Sequence, residues 1–272
     1  MTGDITRAIT LVTYGNAFLK NNHDITALTL DHPSFKFENR VAFYTREKHI
    51  PNETTWILYA ENPIEWLKRL KEEGCKAFRL VFEHDHPNKL NVQDHKLAAF
   101  VGGGGHRYIE TVFQHHSDFW KSKEVVTARN APDQKIWTIS YGRVLSDQPI
   151  QATVSHDLNS LRTKLRETLT QISAFAKEEG HNFWSDQFAI ALGLLDQPDP
   201  LSGNDILPLP VEHYDPSVLQ LMAASSSAWV FGGMGSWNDI GFPDKQKEDE
   251  YDRLSAELYE VINECYVAVA NS

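Results

Sequence analysis

Cysteine is scarce in this chain. There are two, Cys75 and Cys265, far apart and outside any CxxC spacing. That argues against a disulfide scaffold or a cysteine-built zinc site, and leads to the expectation of reduced thiols in the cytoplasm. Long apolar runs are missing too: no window approaches the roughly 18–20 residues that cross a bilayer. The opening MTGDITRAITLVTYG lacks a basic segment followed by an unbroken apolar core, so it does not read as a secretory signal. No run of Lys and Arg with interleaved aromatics occurs, and 26 basic residues face 37 acidic ones for a net charge of −11. Such a field repels phosphate backbones and anionic membranes, since nucleic-acid affinity rests largely on cations neutralising phosphate. The expectation is no nucleic acid and no membrane; a protein partner, in particular a basic one, suits the charge, although acidity also serves solubility alone.

Against these absences stand 41% hydrophobic and 11% aromatic residues. This is ample for a core and excludes global disorder. A length of 272 residues suffices for one large domain or two closely packed ones. The most unusual stretch is Ser225–Phe242, SSSAWVFGGMGSWNDIGF, with two Trp, two Phe, four Gly and one charge, Asp239.

Read in order, Ala8–Thr13 is β-branched and predicts a strand, and Asn21–Asp24 a turn. Ile25–Leu30 and Phe35–Thr45 predict further strands, the latter from the alternation of Phe35, Phe37, Val41 and Phe43 with polar or small residues. Thr54–Ala60 predicts a short buried strand. Asn62 as cap, Pro63 at the first helical position and Gly74 past the end frame a helix with Trp66, Leu67 and Leu70 on one face. Cys75–Glu83 predicts the next strand; if the two strands are parallel neighbours, the crossover is right-handed. Leu97–Val101 reads as a strand meeting Gly102–Gly105, residues 107–113 read better as strand than helix, and Val125–Ala128 and Ile136–Val144 continue an antiparallel meander.

After Pro149 the pattern turns helical. Ser155 is placed to cap a stripe from Leu158 to Phe175 that ends at Gly180, and Phe183–Leu195 forms a second stripe. Asp196–Pro210 is irregular. Asp215-Pro216 starts a third helix, and a fourth begins near Asp244, with Tyr251, Leu254, Leu258, Ile262, Cys265 and Val269 on one side and an Asp249–Arg253 pair outside. The expected fold is α+β: a mixed, largely antiparallel sheet with one strand-helix-strand unit, plus a packed C-terminal helical subdomain. A strand-rich part, 1–150, and a helical part, 151–272, are expected to form one compact unit.

Three constellations are candidates for function. His84 and His86 close a strand at i, i+2, and with His95 they could hold a divalent metal such as zinc for a hydrolase; the other reading is a solvated polar turn. Gly103, Gly104 and Gly105, with His106 and Arg107, could offer backbone N–H groups to a nucleotide or phosphate. The segment lacks the Lys-Ser/Thr of a P-loop, and four glycines also make a plain hairpin loop. Trp229, Phe231 and Trp237 on a glycine-rich turn, with Asn238 and Asp239 to hydrogen-bond, could form a recognition loop; alternatively the aromatics fill core and the glycines allow the turn. No nucleophile elbow, dinucleotide fingerprint or informative carboxylate pair is present. The favoured expectation is a non-catalytic cytoplasmic binding protein with no cofactor and a protein partner. An immunity-type protein that neutralises a basic toxin has these properties, an analogy of charge and not of sequence.

Overall fold

The computed structural model of the chain describes residues 2–46, 55–84, 92–98, 100–150, 157–200 and 207–272. It is an α+β fold built on a six-stranded mixed sheet. The strands are β1 (Glu38–Arg46), β2 (Trp56–Ala60), β3 (Ala77–Glu83), β4 (His106–Val112), β5 (Ser117–Val126) and β6 (Trp137–Gln148). Their order is β2-β1-β6-β5-β4-β3, with only β1 and β6 parallel. The antiparallel run β4-β5-β6 answers to the meander expected from the sequence, except that β5 starts at Ser117 rather than Val125; β3 pairs with β4 but is separated from it in the chain by the helical turn Asp94–Leu97.

Helix α1 (Gly3–Asn21) packs on β3 and β4, and α2 (Pro63–Glu72) on β2 and β1. Together they cover the inner face of the sheet. There Trp66 stacks on Phe43 at 4.4 Å and meets Trp120 edge-on at 5.5 Å, all three fully buried. An aromatic side chain of about 150–250 Å² buried at about 25 cal/mol/Å² stabilises by roughly 4–6 kcal/mol before ordering entropy is subtracted. The ends of α2 follow the sequence: the Asn62 side chain accepts the Glu65 N–H at 2.9 Å, Pro63 opens the helix, and Gly74 takes φ +89 past its end.

The remaining helices are a short turn, α3 (Asp94–Leu97), then α4 (Leu158–Glu178), α5 (Asn182–Leu194), α6 (Pro216–Ser227) and α7 (Lys245–Ala270). Helices α4 to α7 pack on one another, and α7 also lies against β3, α1 and α3. At the end of α7 the Asn271 amide accepts the Leu80 N–H at 2.7 Å and donates to the Leu80 carbonyl at 3.0 Å, filling the place of a further strand on the β3 edge.

Several sequence expectations are corrected. Ala8–Thr13 is the middle of α1, not a strand: Ile5, Ile9, Leu11 and Val12 are all fully buried, so this helix has no wide polar face to reveal its period. The Thr13 hydroxyl donates to the Ile9 carbonyl one turn back, which lets a β-branched residue sit in the helix. Ile25–Leu30 is a turn held by the Leu28 N–H to Ile25 carbonyl bond, not a strand. Leu97–Val101 is no strand: Leu97 closes α3, and Phe100 and Val101 are exposed at 68% and 65%. β2 and β3 are not neighbours; they form opposite edges of the sheet, so α2 joins its two rims. Trp56, Ile57 and Leu58 of β2 are exposed, as suits an edge. Asp157 caps α4, accepting the Asn159 N–H, while Ser155 and the 151–152 end of the expected boundary lie outside the described residues. On α7 Arg253 pairs with Glu250 and Glu257, and Asp249 with Lys245, so the expected Asp249–Arg253 pair is replaced.

Candidate functional site

The outer face of the sheet presents the side chains that register places together. Arg79 lies opposite Glu110, Val81 opposite Tyr108, and Glu110 opposite Phe119. With the stripe Glu260, Glu264, Val267 and Asn271 on α7, these residues line a cleft of about 610 Å³. Its walls are aromatic: Tyr108 and Phe119 meet edge to face at 6.5 Å. Its charge is acidic, with Glu83, Glu110, Glu260 and Glu264 against the single guanidinium of Arg79. Two of these carboxylates are partnered at the rim, Glu264 by Lys164 at 2.7 Å and Glu260 by His84 at 2.9 Å.

Glu110 differs from the rest. It is 3% exposed, its Oε2 lies 3.6 Å from the Arg79 guanidinium, beyond a good hydrogen bond, and its Oε1 is buried with no partner. A buried polar oxygen without a partner costs roughly 1–3 kcal/mol, more for a charged group.

His84 closes one end of the cleft. Its Nδ1 reaches Asp94 at 2.8 Å and its Nε2 Glu260 at 2.9 Å. Burial lowers its pKa, but the bonds and charges of Asp94 and Glu260 outweigh this and leave it raised above the ordinary imidazole value. Both ring nitrogens are thus committed to carboxylates rather than free for a metal. His95 is remote from that role: it is 1% exposed under the Phe231 ring, with its Nε2 unpartnered. His86 lies outside the described residues. His84 and His95 share no group of three close ligand atoms among the described residues.

The glycine segment is packed, not a free hairpin loop. A Cβ on Gly103 would lie 2.3 Å from the Leu97 carbonyl oxygen, and one on Gly104 2.6 Å from the Tyr259 hydroxyl, which donates to the Gly104 carbonyl. The segment borders a smaller cleft of about 230 Å³ shared with Arg7, Arg107 and Trp229. The cations there already hold acids: Arg107 pairs with Asp4 and donates to Asn263, and buried Arg7 bridges Glu38 and Glu124. His106 faces Lys121 at 2.9 Å.

The Ser225–Phe242 aromatics divide. Trp237 and Phe231 are fully buried, Trp237 donating to the Ser255 hydroxyl at 2.8 Å and packing on Phe188 and Tyr251. They build the interior between α5 and α7 and offer no surface to a partner. Trp229 is half-buried at the smaller cleft, Asn238 ties the segment to α3 by donating to the His95 carbonyl at 2.8 Å, and Asp239 accepts the Gly235 N–H. Met234, at the tip, is the one large hydrophobic side chain of the stretch that is fully exposed.

Sequence reasoning missed the Glu110 cleft. Its members lie on β3, β4 and α7, and only the antiparallel register and the docking of α7 bring them together. The one available signal was an acidic residue at the centre of a β-branched and aromatic strand, Tyr108-Ile109-Glu110-Thr111-Val112. Comparison with family models, curated proteins and solved structures finds no match for this chain.

Proposed function

We propose that this chain is a non-catalytic binding protein whose partner is a protein, and that the Glu110 cleft receives a basic side chain of that partner. The observation that carries the reading is Glu110, a lining residue of the acidic, aromatic-walled cleft, whose Oε1 has no partner. An arginine suits it best: the guanidinium forks onto a carboxylate and its face stacks on aromatic rings. The net charge of −11 would speed the approach of a basic protein. Neutralisation of a basic toxin by an immunity-type protein is one arrangement of this kind. Neither cysteine supports thiol catalysis, because burial pushes both thiols up to about 12. Two separate free cysteines accord with a reducing compartment such as the cytoplasm. No helix among the described residues is long and apolar enough to cross a membrane.

The test is capture from native extract at low salt with wild-type and Glu110→Gln protein as baits. A basic protein retained by the first, lost from the second and released by salt supports the reading. Identical retention by both baits, or none, removes it.

A further inference from the structure

On the far side of α1, two segments distant in sequence bring three metal-ligating groups together. His23 follows the C-terminus of α1, where Asn22 takes the left-handed conformation at φ 52 and the His23 N–H bonds back to the Ala17 carbonyl. Glu212 and His213 lie on a single 3-10 turn, Val211–His213, in which the His213 N–H bonds to the Pro210 carbonyl at 3.0 Å. The segment leading into that turn is pinned to α1: the Thr10 hydroxyl donates to the Pro208 carbonyl at 3.2 Å.

The His23 Nδ1 lies 3.1 Å from the His213 Nε2 and 3.4 Å from the Glu212 Oε1. All three ligand atoms fall within 4.8 Å of one another. Zinc–nitrogen bonds of about 2.0–2.1 Å in a tetrahedron set ligand atoms about 3.3–3.4 Å apart. The two observed separations match that spacing, so an ion can be seated with little movement of backbone. The Asn21 amide nitrogen stands 3.4 Å from the His213 Nδ1; ligation through Nε2 puts the ring proton on Nδ1 and requires that amide to turn its oxygen to the ring. The Tyr14 ring backs His23 edge-on at 5.5 Å.

We propose that His23 Nδ1, His213 Nε2 and Glu212 Oε1 form a site for a divalent transition metal, zinc foremost, that clips the 3-10 turn to the end of α1. Two imidazoles and a carboxylate favour zinc over calcium or magnesium, which take oxygen ligands alone. Three protein ligands leave the fourth position to solvent. The other compact group, His116, Asp118 and Asp147, is a weaker case: Asp118 is buried and already committed to Arg143 at 2.8 Å and to the Asp147 N–H at 2.9 Å.

The experiment uses the full chain without a histidine tag, stripped with chelator and titrated with cobalt(II) chloride, then zinc chloride. Expected are one ion per chain, the intense visible absorption of four-coordinate cobalt(II), its displacement by zinc, and a rise in melting temperature with zinc. His213→Ala and Glu212→Gln change exposed residues. Each should weaken binding by more than the roughly 10–100-fold that loss of an outer-shell partner costs, while the metal-free melting temperature stays put. No bound ion at equimolar metal, or an ion whose affinity and spectrum neither substitution alters, overturns the site.

Discussion

His95 should make the fold sensitive to mild acid in a way that a single substitution removes. The ring is 1% exposed, its Nε2 has no partner, and the neighbouring α7 contributes Asp252, which Lys96 already holds at 2.7 Å. Burial above all, and then the Lys96 ammonium, lower the His95 pKa from 6.5 to about 4, with Asp252 opposing. Between these values the unfolded chain takes up a proton that the folded chain refuses. Stability therefore falls as the pH drops through that window and is level above it. A tenfold change in an equilibrium constant is about 1.4 kcal/mol, so a fall from 6.5 to about 4 amounts to roughly 3 kcal/mol. That is a large share of the 5–15 kcal/mol that typically holds a domain together. Urea unfolding of wild type and His95→Gln across the window isolates the effect, because every other titrating group is common to both. The wild type should lose about 3 kcal/mol relative to the variant between the ends of the window. Parallel stability profiles for the two proteins would refute the reasoning and mean that the His95 ring is solvated or partnered in solution.

Three further outcomes follow from the same structure. Arg7→Ala strands the Glu38 carboxylate, 4% exposed, and takes the guanidinium from Glu124 as well; urea denaturation should show a loss of about 3–5 kcal/mol, and replacing Arg7, Glu38 and Glu124 together by Met, Leu and Gln should recover most of it. Gly105→Ala sets a Cβ 2.5 Å from the Phe82 ring at φ +84, whereas Gly102→Ala at φ +77 meets nothing within 4 Å; the second should cost only the roughly 1–2 kcal/mol of a left-handed backbone and the first clearly more, read as the drop in melting temperature. Cys75 and Cys265 are buried, with thiols pushed up to about 12, so a thiol reagent should label neither in the native chain and both in urea.

What the sequence disclosed depended on whether the signal was local. α2 was legible because its stop and start residues, Asn62, Pro63 and Gly74, act within a turn of where they stand. The start of α7 at Asp244 and its apolar stripe were legible for the same reason: the Asp244 side chain accepts from the Gln246 and Lys247 N–H groups, and one helix face is polar. α1 was misread because it is enclosed nearly all round, which erases the difference between faces that marks a helix and leaves the β-branched Ile9, Thr10, Val12 and Thr13 to suggest a strand. The place of β2 at the far edge from β3 had no local signal, since strand order is set by which faces find cover. Both the Glu110 cleft and the His23–His213 pair join residues far apart in the chain, and spacing arguments reach only neighbours. The aromatic-glycine stretch was visible as unusual, but composition alone does not separate a Trp that fills the interior from one that meets a partner. Trp237, at 0% exposure, belongs to the interior.

The proposed binding role rests on an acidic, aromatic-walled cleft lined by Glu110, whose Oε1 is buried without a partner. Its most direct test is isothermal titration of wild-type and Glu110→Gln protein with a short apolar peptide carrying one central arginine, beside the same peptide with norleucine in its place. Saturable one-to-one binding of the arginine peptide to wild type, abolished by either change, is the predicted result. Equal binding of both peptides, or equal binding of the arginine peptide to both proteins, would contradict it.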